Sequence, residues 1–119
     1  MKTTYQLHIN VNRKIGVSVG RLGLCSFPAG RYVYTGSAKA GLEARIARHR
    51  RREKKLHWHI DYLLSRDEVD LVRVTRASSA ECACNQAVRG EIVVPGFGSS
   101  DCRQGCGSHL KKIPAPFSP

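Results

Sequence analysis

The chain has 119 residues, 41% of them hydrophobic, and a formal net charge of +11 with a pI near 10. That length supports one domain, 1–119, around one modest core, and no apolar run approaches the ~18 residues of a membrane span. The charge excess points to a polyanionic partner and says little about fold, and a membrane is not expected, because no amphipathic helix sets Trp or Phe opposite its charges.

MKTTYQLHINV has neither the apolar stretch nor the small-residue cleavage site of a signal peptide, so a cytoplasmic location is expected. In Thr4 to Val11, Tyr5, Leu7, Ile9 and Val11 alternate with polar residues, the pattern of a half-buried strand. Asn12-Arg13-Lys14 reads as a turn into a shorter strand, Ile15 to Val19, and the two suggest an N-terminal hairpin. Gly20 to Gly30, with Gly23 and Pro28, reads as loop, and Arg31 to Thr35 as a strand broken by Gly36. A helix is predicted from about Ala40. At 100° per residue from Leu42, Ile46 falls at about 40°, His49 at about −20° and Arg45 at about −60°. Arg45 and His49 thus flank the apolar stripe, while Arg48, Arg51 and Arg52 fall on the far side. A second helix is predicted from near His57 to Ser65, a strand over Val69 to Val74, and a third helix over Ser78 to Val88. Glu91 to Val94 has the composition of a strand fragment, and 96–119 reads as a loop-rich extension of the same domain. The elements describe an α+β fold, a small and mostly antiparallel sheet packed with helices.

Between Gly41 and Lys55 stand Arg45, Arg48, Arg50, Arg51, Arg52, Lys54 and Lys55 against Glu43 and Glu53. Such a stripe is the electrostatic footprint of nucleic-acid binding. Five cysteines, an odd number, argue against a disulfide framework.

With strand, turn and helix placed, the chain resembles the GIY-YIG nuclease family, and its compact Uri-type single-domain branch in particular. Tyr34-Thr35-Gly36 resembles the second half-motif, followed by Ser37-Ala38, then Arg45 and, one turn on, His49. Thr3-Thr4-Tyr5 stands in the first half-motif with only its tyrosine kept. The segment His57-Trp58-His59-Ile60-Asp61, the run from Gly96 to Cys102 and Ser108-His109-Leu110 extend the match to most of the chain. The resemblance implies a three-stranded antiparallel sheet flanked by helices, and metal-dependent hydrolysis of a phosphodiester, with DNA favoured over RNA. It assigns the site to Tyr5, Tyr34, Arg45, His49 and Glu81, with Glu81 holding Mg²⁺ or Mn²⁺.

The residue chemistry is compatible with those roles. Arg45 offers a planar, permanently charged fork that matches phosphate oxygens. A tyrosine needs a nearby cation to act as a base, and nothing in the residues says which of Tyr5 and Tyr34 would do so. His49 can donate to phosphate or shuttle a proton. Glu81 has a competing role, because Ser78-Ser79-Ala80-Glu81 spells a capping box, and Glu91 is the alternative carboxylate. Ser37, Lys39, Arg48, Arg50, Arg51, Arg52, Lys54, Lys55 and His57 are the expected contacts to the nucleic acid. Cys102, Cys106 and His109, with Cys82 or Cys84, have donor types suited to a structural Zn²⁺ that would staple the C-terminal loop to the third helix. Against the nuclease stand two binding alternatives, a non-catalytic nucleic-acid module on the same fold and a zinc-stapled RNA-binding protein.

Overall fold

The strand β1 (Thr4–Val11) carries the apolar alternation inward, with Tyr5, Leu7, Ile9 and Val11 all at most 3% exposed. In the computed structural model, which describes residues 2–98 and 105–114, β1 is the centre of the main sheet. It pairs antiparallel with β4 (Gly30–Ser37) on one side and β5 (Val69–Ala77) on the other. A bulge opposite His8 and Ile9 leaves Val72 out of register with β1 and exposed. On the far edge β6 (Leu110–Ile113) pairs antiparallel with β4, giving the order β5-β1-β4-β6.

The expected N-terminal hairpin does not form. Both edges of β1 are taken by β4 and β5, so β2 (Ile15–Val19) pairs instead with β3 (Gly23–Phe27) in a separate two-stranded sheet. The segment read as loop therefore contains a strand, reached through a 3-10 turn at Gly20–Leu22. The glycines flanking that turn have positive φ, 45° at Gly20 and 73° at Gly23, and they make the reversal this tight. The predicted three-stranded sheet is four-stranded, because the fourth strand, LKKI, is too short and too polar to show a period-2 pattern. Glu91, in the expected strand fragment, makes only an isolated bridge to Lys112.

Three helices pack on the sheets. The first, α1 (Leu42–Arg50), starts two residues later than predicted because Gly41, its N-cap, is left-handed at φ 68°. The second, α2 (His59–Leu64), buries Ile60, Leu63 and Leu64. The third, α3 (Glu81–Ala87), is shorter than predicted at both ends. The core joins the β1 residues to Ile46 of α1, the apolar face of α2 and an edge-to-face aromatic group of Phe27, Tyr32, Tyr34 and Phe97. Among the described residues no helix is long and apolar enough to cross a membrane.

Candidate active site

The β1–β4 register places Tyr5 opposite Gly36 and Leu7 opposite Tyr34, so both tyrosines share one face of the sheet. Gly36 is required there: a Cβ at this position would stand 2.5 Å from the Tyr5 hydroxyl oxygen. The other side of the Tyr5 hydroxyl is closed by α1, whose buried His49 brings Nε2 within 2.8 Å of it. Burial, reinforced by Lys54, pushes the His49 pKa down to about 4, so the ring is neutral. Its Nδ1 has no hydrogen-bond partner among the described residues. The neutral ring offers a donor or an acceptor at Nε2 according to its tautomer, and the Tyr5 hydroxyl takes the complementary role. Burial raises the Tyr5 pKa well above its ordinary value, with Arg45 pulling the other way.

Arg45 donates to the Ser37 carbonyl at 2.6 Å and lies over the Trp58 ring at 4.7 Å from the centroid. Arg48 approaches the same ring at 4.5 Å. Sequence periodicity places Arg48 on the solvated side, which the structure corrects. Its guanidinium turns inward and binds Asp61 through both nitrogens, at 2.8 and 2.9 Å. Asp61 is fully buried and also accepts the backbone N–H groups of His57 and Trp58. Those two bonds explain why α2 begins at His59, with Asp61 in its first turn reaching back. Burial pushes the Asp61 carboxyl up, but Arg48 and the two amides outweigh it and hold it below the usual range. Asp61 thus locks α1 to α2 beneath Trp58, a role that the sequence signals only as an acidic residue in a first helical turn.

Tyr34 is buried against Phe97 and lies so close to Gly98 that a Cβ there would meet its ring at 2.8 Å. Burial raises its pKa as well, with the charge of Tyr5 and Glu81 adding to the effect. The Gly98 amide donates to His59 Nδ1 at 2.8 Å, which fixes the turn over Tyr34. At the other side stands Glu81. The capping box does not form: Ala80 is the N-cap of α3, and the Ser79 carbonyl accepts the Thr4 hydroxyl at 2.6 Å. Glu81 Oε2 instead lies 2.8 Å from His109 Nδ1. Burial pushes the Glu81 carboxyl up, but His109, Ser37 and Arg45 together hold it below its ordinary range. The negative charge of Glu81 in turn raises both tyrosines. The expected site residues Tyr5, Tyr34, Arg45, His49 and Glu81 are therefore neighbours, drawn from β1, β4, α1 and α3.

The expected nucleic-acid contacts divide. Lys39, Arg50, Arg51, Lys55 and His57 are exposed, and Ser37 is half-buried beside Glu81. Arg52 and Lys54 are tied to their own chain. Arg52 donates to the carbonyls of Arg66 and Val69, and Lys54 caps α1 through the carbonyls of Arg48 and His49. Among the cysteines and histidines, Cys82, Cys106 and His109 place their ligand atoms within 4.8 Å of one another. Cys84 turns to the Ser79 carbonyl, and Cys102 lies outside the described residues.

Residues 4–118 match a family model described as a domain of unknown function, DUF123. The chain belongs to the DUF123 family. No curated protein and no solved structure matches it. Besides the Arg48–Asp61 pair, sequence reasoning missed two contacts of this DUF123 domain. The Glu81–His109 contact joins residues 28 apart with no local pattern between them. The Gly98–His59 contact spans 39 residues, and its only signal was a glycine pair around Phe97.

Proposed function

We propose that this DUF123 domain is a metal-dependent endonuclease of GIY-YIG type that hydrolyses phosphodiester bonds, with DNA as the favoured substrate. One observation carries the reading: an arginine and a carboxylate stand close enough to two tyrosines to act on their ionisation, the four residues coming from four separate elements. Hydrolysis of a phosphodiester needs charge relief on the phosphate, an oriented water and help for the leaving oxygen. Arg45, aimed by the Ser37 carbonyl and the Trp58 face, supplies the charge. Tyr5, hydrogen-bonded to His49 and with Arg45 opposing the effect of its burial, is assigned the proton-accepting role, and Tyr34 serves as an orienting donor.

The resemblance implies Mg²⁺ or Mn²⁺, and the residues fit. Glu81 is a half-buried carboxylate kept ionised by its surroundings, and one carboxylate with waters and phosphate oxygens is a common Mg²⁺ donor set. The ion would add charge relief and acidify a bound water.

The test is a cleavage panel of duplex, single-stranded and branched DNA and of RNA with several divalent metals. Product is expected with Mg²⁺ or Mn²⁺, reduced on the order of 10²-fold or more in Arg45→Ala, the size of a lost charge-stabilising donor. Full activity in excess chelator, or an unchanged rate in Glu81→Ala, overturns the metal mechanism. The burial of both tyrosines favours a second reading, a non-catalytic nucleic-acid-binding module. That reading expects salt-sensitive binding with no product under any condition.

A further inference from the structure

The C-terminal segment around Cys106–His109 is tied to α3 by polar contacts that converge on three soft or borderline donors. Asn85 of α3 donates to the Ser108 carbonyl at 2.8 Å, and Gln86 approaches Cys106 Sγ at 3.6 Å. His109 is fixed by its backbone, donating to the Phe97 carbonyl at 2.8 Å and accepting from Thr35 at 3.0 Å. Its two ring nitrogens face different partners. Nε2 lies 4.0 Å from Cys82 Sγ, while Nδ1 lies 2.8 Å from Glu81 Oε2.

From this arrangement we infer that Cys82, Cys106 and His109 bind one Zn²⁺, with Glu81 as the carboxylate that orients the histidine. In a tetrahedral zinc site the sulfur and nitrogen donors stand about 3.5–3.8 Å apart. The three atoms here lie within 4.8 Å of one another, so closure on the ion needs movements of about 1 Å or less, within reach of side-chain adjustment. The geometry also fixes the tautomer. Zinc on Nε2 leaves the proton on Nδ1, where Glu81 accepts it, and a carboxylate behind a ligating histidine is the usual outer partner of zinc. Cys84, equally near in sequence, is turned away to Ser79 and takes no part. Among the described residues the set has three donors, and the fourth position of a tetrahedral ion is open to a further ligand. The ion would staple the C-terminal segment to α3, and it would hold Glu81 through His109.

The site is tested on the full chain, reduced, loaded with Zn²⁺ or Co²⁺ and freed of excess metal. One zinc per chain is expected by elemental analysis, and a thiolate-to-metal absorption band is expected with Co²⁺. Cys82→Ser and Cys106→Ser should lose most of the bound zinc and weaken the band, whereas Cys84→Ser should keep both. Glu81→Ala should weaken zinc affinity about 10–100-fold, as loss of an outer partner does. Cobalt binding by the unsubstituted chain makes the test independent of whether a variant folds. Overturning results are a cobalt-treated chain with no thiolate band, zinc retained equally by both cysteine variants, or a Cys82–Cys106 disulfide that persists in reductant in place of metal.

Discussion

Tyr5 is held on two sides by contacts of opposite kind, and each can be tested at a single residue. On the strand side Gly36 leaves room that no other residue leaves, since a Cβ would meet the hydroxyl at 2.5 Å and the adjoining ring carbon at 2.6 Å. The ring is buried and cannot swing away, so Gly36→Ala should cost about 1–3 kcal/mol, the range for overpacking a tight interior. Urea denaturation measures this, and a midpoint unchanged from wild type would mean that Tyr5 has slack the packing does not show. On the helix side, His49 is neutral in the fold. The unfolded chain takes up the imidazole proton near 6.5, the folded chain only near 4. Between those values the unfolded state binds more protons, so the stabilisation is complete above pH 6.5 and lost as pH falls toward 4. From pH 7 to 5 the loss should be about 2 kcal/mol, at about 1.36 kcal/mol for each step of one in pH below 6.5. His49→Gln should lack that component, and parallel stability–pH curves for variant and wild type would refute it.

At the scale of elements, β1 was legible because one half-buried strand with four alternating apolar residues has few other readings. The α1 stripe was legible for the same reason, and it set His49 inward beside Ile46. Strands β3 and β6 were not legible. Gly23–Phe27 lies in a stretch punctuated by Gly23, Pro28 and Gly30 like a loop, and it takes as partner the β2 strand that had seemed to belong to β1. Leu110–Ile113 owes its place to the free edge of β4, a tertiary fact that four residues cannot encode. Arg48 was misplaced for a related reason. Helical periodicity knows the direction of a side chain but not that a buried carboxylate on the next helix waits there. The Arg48–Asp61 clamp fixes the crossing of α1 and α2, and with it the position of Trp58 under Arg45. Removing one partner of a buried pair leaves the other uncompensated. A double-mutant cycle on Arg48→Ala and Asp61→Ala should therefore give a coupling energy above about 1 kcal/mol. Single effects that simply add would show that the two helices are held by their apolar contacts alone.

Across the whole molecule, the net charge of +11 overstates what is available to a polyanion. Arg48 serves Asp61, Arg52 serves two carbonyls near the start of β5, and Lys54 serves the end of α1. The basic cluster between Gly41 and Lys55 is thus partly architectural, and the exposed cations that remain nearby are Lys39, Arg50, Arg51 and Lys55. If these four meet phosphates of duplex DNA, log K should fall with log salt at a slope of about −3.6, and at about −2.8 on single strands. Each of Arg50→Ala and Arg51→Ala should flatten that slope by about 1 while leaving the denaturation midpoint within experimental error. Arg52→Ala should do the reverse, lowering the midpoint by severing its ties to Arg66 and Val69 and leaving the slope intact. The contrast is read by fluorescence anisotropy over a salt series beside urea melts of the same three variants. An Arg52→Ala slope flattened as much as that of Arg50→Ala would mean that its guanidinium leaves the protein for the nucleic acid on binding, and that the outer face of α1 reorganises when it meets its partner.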